Sequence, residues 1–203
     1  MNDADQPVVM VSSSVYQNES LLDQIYGSLI GFGYSVWMSH KGTIPVNPGK
    51  SNFENCIEAV ENCDIFLGLV TPFYGSGRNS DGFSITHLEQ RRAVELRKPR
   101  WFVSDYRVNF ARQLLRQYRF TKQNKPRRSF KFAKTPVMDH EGVLDMYEEA
   151  VLLDSGLPVE HRPGIWVHDY RRPEEALFYI SEQLRDLSRI QSFLNTKEAE
   201  DGE

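Results

Sequence analysis

Asp64-Ile65-Phe66-Leu67-Gly68-Leu69-Val70 is the stretch that decides how this chain folds. After Asp64 no polar residue interrupts it, and a strand without alternation is one buried on both faces, as the strands of a parallel sheet are. Upstream, Pro7-Val8-Val9-Met10-Val11-Ser12 reads the same way. Between the two, Asn18 opens a helical stripe of Leu21, Leu22, Ile25, Tyr26 and Leu29 that Gly31 and Gly33 stop, and residues 34–38 form a second strand. A loop over 39–50 leads to Ser51-x-x-Glu54, a capping box that starts the next helix with Phe53, Ile57 and Val60 toward the core. Downstream, a Gly- and Ser-rich loop over 71–82 precedes a helix capped by Ser84 or Thr86, and residues 100–104 make a fourth strand.

Strands alternating with helices predict a parallel sheet covered on both faces, a three-layer α/β sandwich. Beyond the fourth strand the pattern changes. Phe110, Leu114 and Tyr118 mark one helix, Val143, Tyr147, Ala150 and Val151 another, and a basic, proline-containing stretch over 122–134 lies between them. Ile165-Trp166-Val167-His168 reads as a late strand. Pro173 opens one long final helix with Leu177, Ile180, Leu184, Leu187 and Phe193 or Leu194 inward. The expected organisation is a single domain over 1–194, with a helical basic insertion at about 107–159 and a disordered acidic tail over 195–203.

The chain has 203 residues, 40% hydrophobic and 26% charged, which suits one well-filled core. Residues 1–7 are acidic and polar and make no signal peptide; no apolar run reaches the ~20 residues a membrane span needs. Cys56 and Cys63, seven apart on one predicted helix, stand about 10 Å apart along its axis, too far for an undistorted disulfide. They read as a reduced, buried pair in a cytoplasmic protein. His40, His87, His140, His161 and His168 show no metal-binding spacing, and His87 reads as a helix-start residue. The net charge of −4 hides an asymmetry: residues 107–134, from Arg107 at one end to Lys134 at the other, hold ten Lys or Arg and no Asp or Glu. Arg112, Arg116 and Arg119 form a basic helical stripe, and Arg127, Arg128 and Lys131 interleave with Phe130 and Phe132. That composition suits a nucleic-acid groove or, equally, a face paired with the acidic remainder of the chain.

In an open parallel sheet ligands bind beyond the carboxyl ends of the strands where the strand order reverses. With the order 2-1-3-4-5, the loops at 12–17 and 71–83 face that crevice. Ser12, Ser13 and Ser14 offer hydroxyls and backbone N–H groups for phosphate or ribose oxygens, with Ser84 across from them; Phe73, Tyr74 and Phe83 offer stacking surfaces. Each has a plainer reading, as turn serines and core aromatics. Glu89 is more specific. Ile85, Glu89, Ala93 and Leu96 share one helix face, so a carboxylate stands in the line that packs on the sheet and points at the crevice, while Glu95 faces solvent. The competing reading is structural: Thr86-x-x-Glu89 also matches a capping box.

Taken together, Val8-Val9-Met10-Val11-Ser12-Ser13-Ser14 with Glu19, the run from Cys56 through Val70, Tyr74-Gly75, Ser84-Ile85-Thr86-His87-Leu88-Glu89, Ala93 and Lys98-Pro99 resemble a TIR-like family of bacterial proteins. The resemblance covers about residues 7–105. It implies a flavodoxin-like fold, Glu89 as the catalytic carboxylate, and cleavage of the nicotinamide–ribose bond of NAD, with NAD as substrate and no other cofactor. It also implies self-assembly and, as in anti-phage systems such as Thoeris, a cyclic or modified ADP-ribose signal that reaches an effector protein. The sequence departs from the family in having Ile85 to Leu88 where a tryptophan is usual, and in its basic insertion. Two other readings stand beside this one: a non-catalytic interaction module of the same fold, and a nucleoside deoxyribosyltransferase-like enzyme, which also places a glutamate at a glycosidic bond.

Overall fold

A computed structural model describes residues 6–75, 77–152 and 167–201. Five strands, β1 (Val8–Ser12), β2 (Ser35–Trp37), β3 (Ile65–Val70), β4 (Arg100–Asp105) and β5 (Val167–Tyr170), form one sheet in the order β2-β1-β3-β4-β5, every pair parallel. The expected strand order is the one observed. The expected late strand is present as β5 from Val167 on; positions 165–166, together with 153–159 of the expected insertion and His161, lie outside the described residues.

The pleat sorts the side chains between two faces. Val9, Val11, Ile65, Leu67, Leu69 and Val103 point to one face, where α1 (Glu19–Gly31) and α6 (Pro173–Leu184) bury Leu22, Ile25, Leu29, Ala176, Ile180 and Leu184. Met10, Phe66 and Phe102 point to the other, covered by α2 (Asn52–Asn62), α3 (Ile85–Glu95) and Ala150 of α5 (Gly142–Leu152). Every residue of β3 is buried, as its unbroken apolar run requires. Gly68 sits in that run for want of space: a Cβ there would lie 2.5 Å from the Phe102 ring.

The capping box at Ser51 is present in full, with Glu54 N donating to Ser51 Oγ at 3.2 Å and Ser51 N to Glu54 Oε2 at 2.7 Å. The face α2 buries differs from the expected one: Asn55, Ala59 and Val60 are inside, while Phe53 and Ile57 are only half-buried. The basic segment differs more. In α4 (Tyr106–Arg119) the expected apolar stripe of Phe110, Leu114 and Tyr118 faces solvent, and Val108, Ala111 and Leu115 pack inward against α5. The basic side chains follow them. Arg119, 7% exposed, pairs with Asp145 and Glu148, and Arg112 reaches Glu148 at 3.5 Å. These pairs lock α4 to α5 and consume cations that would otherwise be open to a nucleic acid. The single long final helix is two, because Asp186 interrupts it: its carboxylate accepts from Arg189 N at 3.0 Å and caps a new helix, α7 (Leu187–Asp201), which runs into the segment read as an acidic tail. Among the described residues no helix is long and apolar enough to cross a membrane.

Candidate active site

Where the strand order reverses, between the carboxyl ends of β1 and β3, lies a cavity of about 390 Å³, the size of a small-ligand pocket. Ser13, Ser14 and Val15 come to it from the loop after β1, Ile44 and Val46 from the loop after β2, Asn52 and Cys56 from α2, and Ser84, Thr86 and Glu89 from the start of α3. Ser84, not Thr86, caps α3: its hydroxyl accepts from His87 N at 3.2 Å. Glu89 is therefore beyond the capping positions, and its carboxylate turns away from the helix backbone to the sheet. Ser12 Oγ donates a short hydrogen bond to Glu89 Oε2, and the Cys56 thiol bonds the same carboxylate.

Glu89 is 5% exposed yet lines the cavity, and no cation pairs with it among the described residues. Burial pushes its carboxyl above the usual carboxylate range, and the bonds from Ser12 and Cys56 pull back in part. The same burial, with the charge of Glu89 beside it, lifts the Cys56 thiol to about 12, so Cys56 serves as a hydrogen-bond donor and not as a thiolate. A carboxyl held by two neutral donors, dry on one side and open to a cavity on the other, is suited to gain charge as a positive centre develops next to it.

The other expected ligand residues divide. Ser13 and Ser14 line the cavity; Ser14 Oγ is 2.6 Å from Thr71 Oγ1, and Ser13 Oγ donates to Ser14 O at 2.9 Å. Ser12 is buried behind them and acts on Glu89. Tyr74 is core: its hydroxyl meets His87 Nδ1 at 2.7 Å and its ring stacks on His140 at 4.6 Å. His87, fully buried, continues through Nε2 to Glu149 at 3.1 Å, and Arg91 clamps Glu149 with two bonds of 2.5 and 2.9 Å. Arg91 covers the Phe83 ring at 3.9 Å, which removes Phe83 from stacking on a ligand. Phe73 opens instead onto a second, adjoining cavity.

Cys56 and Asn52 are site residues that the sequence reading missed. Both lie on the α2 face that carries Asn55, four residues apart, a spacing visible in the sequence but masked by reading the two cysteines as an inert pair. Asn55 itself is structural: its amide donates to the carbonyls of Asn47, Lys50 and Ser51 and accepts from Asn47 N at 2.8 Å, pinning the loop that forms one wall. No group of three His, Cys, Asp or Glu able to hold a metal occurs among the described residues.

Residues 8–153 match the family model described as "Domain of unknown function (DUF4062)". Comparison with curated proteins gives no significant match. Among solved structures, the chain is similar to the Clostridium botulinum CMP N-glycosidase BcmB, with TM-score 0.46 and 13% identity over 87% of this chain and 99% of that one. It is also similar to the 2-deoxyribosyltransferase of Leishmania mexicana, with TM-score 0.38 and 14% identity over 70% of this chain and 96% of that one. The 2-deoxyribosyltransferase of Bacillus psychrosaccharolyticus gives TM-score 0.34 and 20% identity over 48% of this chain and 72% of that one. The expectation of a TIR-like protein is corrected here: the segments that carried the resemblance fall inside the stretch matched by a different family model. With it go NAD as the substrate and the cyclic ADP-ribose signal. The physical reason for the error is that a parallel sheet with a crevice beyond its strand ends is shared by unrelated families, so the residues that build it specify the fold and not the substrate.

Proposed function

The chain belongs to the DUF4062 family, and from that premise and the geometry of its crevice we propose that it is an enzyme that breaks the N-glycosidic bond of a nucleoside-type substrate, with Glu89 as the working carboxylate. The observation that carries the proposal is the position of Glu89: buried, bonded to Ser12 and Cys56, and facing a cavity at the reversal of strand order. In this reading the ribose lies against Ser13 and Ser14 with its anomeric carbon at Glu89, and the base lies between Ile44, Val46 and Ile85, where the amide of Asn52 meets its polar edge.

As the base leaves with the bonding electrons, C1′ of the sugar becomes oxocarbenium-like; the proton that the incoming water or acceptor hydroxyl gives up neutralises the departing base. A fixed carboxylate in a dry site stabilises that charge, as in glycoside hydrolysis, before water or another acceptor closes the sugar. The direction of the Glu89 shift fits the role. Burial raises its carboxyl, so ionisation is disfavoured in the buried site, and a cation developing beside it favours the charged form, which makes the interaction stronger in the transition state than in the ground state.

The test is release of free base, followed by chromatography, from a panel of ribo- and deoxyribonucleosides and their 5′-monophosphates. The protein releases base from at least one, and Glu89→Gln lowers the rate by about 10²–10³-fold, the loss expected from removing one preorganised electrostatic group. Equal rates for the two proteins defeat the proposal.

A further inference from the structure

The cavity at Glu89 adjoins a larger one of about 930 Å³, with which it shares Ser14, Val15 and Gly75. The second cavity differs in its charge. Arg78 and Lys134 line it, and neither has a carboxylate partner among the described residues, whereas Arg91, Arg92, Arg107, Arg112 and Arg119 are all paired. Asp139 also lines it, but its carboxylate accepts from Tyr74 N at 2.8 Å and so serves the loop after β3. The guanidinium of Arg78 lies 5.8 Å from the centre of the buried Tyr74 ring. Two unpaired cations against one carboxylate leave this end of the crevice positive, while the end that holds Glu89 has no cation.

We propose that Arg78 and Lys134 hold the phosphate of a nucleotide whose ribose and base occupy the Glu89 cavity, so that the substrate class is a nucleoside monophosphate and not a free nucleoside. This rests on the glycosidic reading above and narrows it. The loop carrying Ser14 and the turn at Gly75, which border both cavities, are where the sugar passes from one to the other. Gly75 has φ +91, a conformation that L side chains rarely adopt, which keeps that border free of a side chain. Phosphate suits the two residues by chemistry: arginine offers a planar fork to two oxygens, and lysine a point charge to a third.

The experiment is titration calorimetry on Glu89→Gln, which holds substrate without consuming it, with the four ribonucleoside 5′-monophosphates, their 2′-deoxy counterparts and the corresponding nucleosides. At least one monophosphate binds about 10²-fold more tightly than its nucleoside, about tenfold for each charge-assisted contact. Adding Arg78→Ala and Lys134→Ala removes most of that ratio, and 0.5 M salt shrinks it. The charge-preserving pair Arg78→Lys and Lys134→Arg keeps it within about threefold, which separates loss of charge from loss of fold. Equal affinity for nucleoside and monophosphate, a ratio that survives removal of both charges, or no binding by any monophosphate overturns the inference. Base release by the unsubstituted protein tells the two ideas apart. A monophosphate that binds through Arg78 and Lys134 but yields no base sustains the phosphate site and ends the glycosidic reading. Base released equally from nucleoside and monophosphate does the reverse.

Discussion

Glu89 shows how one side chain can weaken a fold while equipping it. Its carboxyl prefers to be neutral in the folded protein, so its contribution to stability is fully present below the ordinary carboxylate range of about 4 and is lost as pH rises through its raised folded value. Glu89→Gln, which resembles the protonated acid, is accordingly predicted to match the parent in Tm near pH 4 and to exceed it by a few degrees at pH 8; thermal melts across that range check the sign. If Glu89 acts as proposed, the same preference places the acid limb of activity above the usual carboxylate range. Ser12→Ala removes a bond that holds the carboxyl down, so the limb of kcat/KM moves to higher pH, while a merely structural serine would lower activity without moving it. Glu89 was legible in the sequence because a carboxylate in a core-facing line is conspicuous. Cys56 was not, because half-burial beside a carboxylate is a relation between α2 and α3 that spacing along one helix cannot express.

Between elements, the polar chain from Tyr74 through His87 and Glu149 to Arg91 ties α3 to α5, and α5 roofs the sheet face next to the site. Burial alone would raise the Glu149 carboxyl, but its bonds to Arg91 and His87 hold it at about 2. Its stabilising contribution is thus present above the unfolded value and disappears as pH falls toward 2. Glu149→Gln is predicted to cost about 1–2 kcal/mol near pH 7, an amount already reduced for the partial exposure of Arg91 and Glu149, or a Tm loss of about 3–6 °C. That loss shrinks in melts taken between pH 4.5 and 2.5; a constant difference across the range contradicts the assignment. The strands and first three helices were readable because each carries its own period and its own caps. The orientation of α4 was not, since Phe110, Leu114 and Tyr118 make as good an apolar stripe as Val108, Ala111 and Leu115, and only the arginines, drawn to Asp145 and Glu148 of α5, decide which side turns inward.

At the scale of the molecule, strand order places the chemistry. The reversal between β1 and β3 gathers loops from three separate segments, and residues far apart in sequence, such as Ser12 and Glu89, meet only because β1 lies beside β3 in the sheet. The alternation of strands and helices predicted the parallel sheet; the order 2-1-3-4-5 was a condition placed on it, and the crevice lies where that condition puts it. The identity of its ligand was not legible, because serines and a glutamate at such a crevice suit several sugars, and the charges of Arg78 and Lys134 converge only when the loop after β3 meets the basic segment. The most direct measurement is a crystal structure of Glu89→Gln with the nucleoside or nucleotide whose base the parent protein releases. The account predicts the anomeric carbon within about 3.5 Å of the side chain at position 89, the separation of a reacting pair. A sugar bound elsewhere, with residue 89 walled off from it, would contradict it.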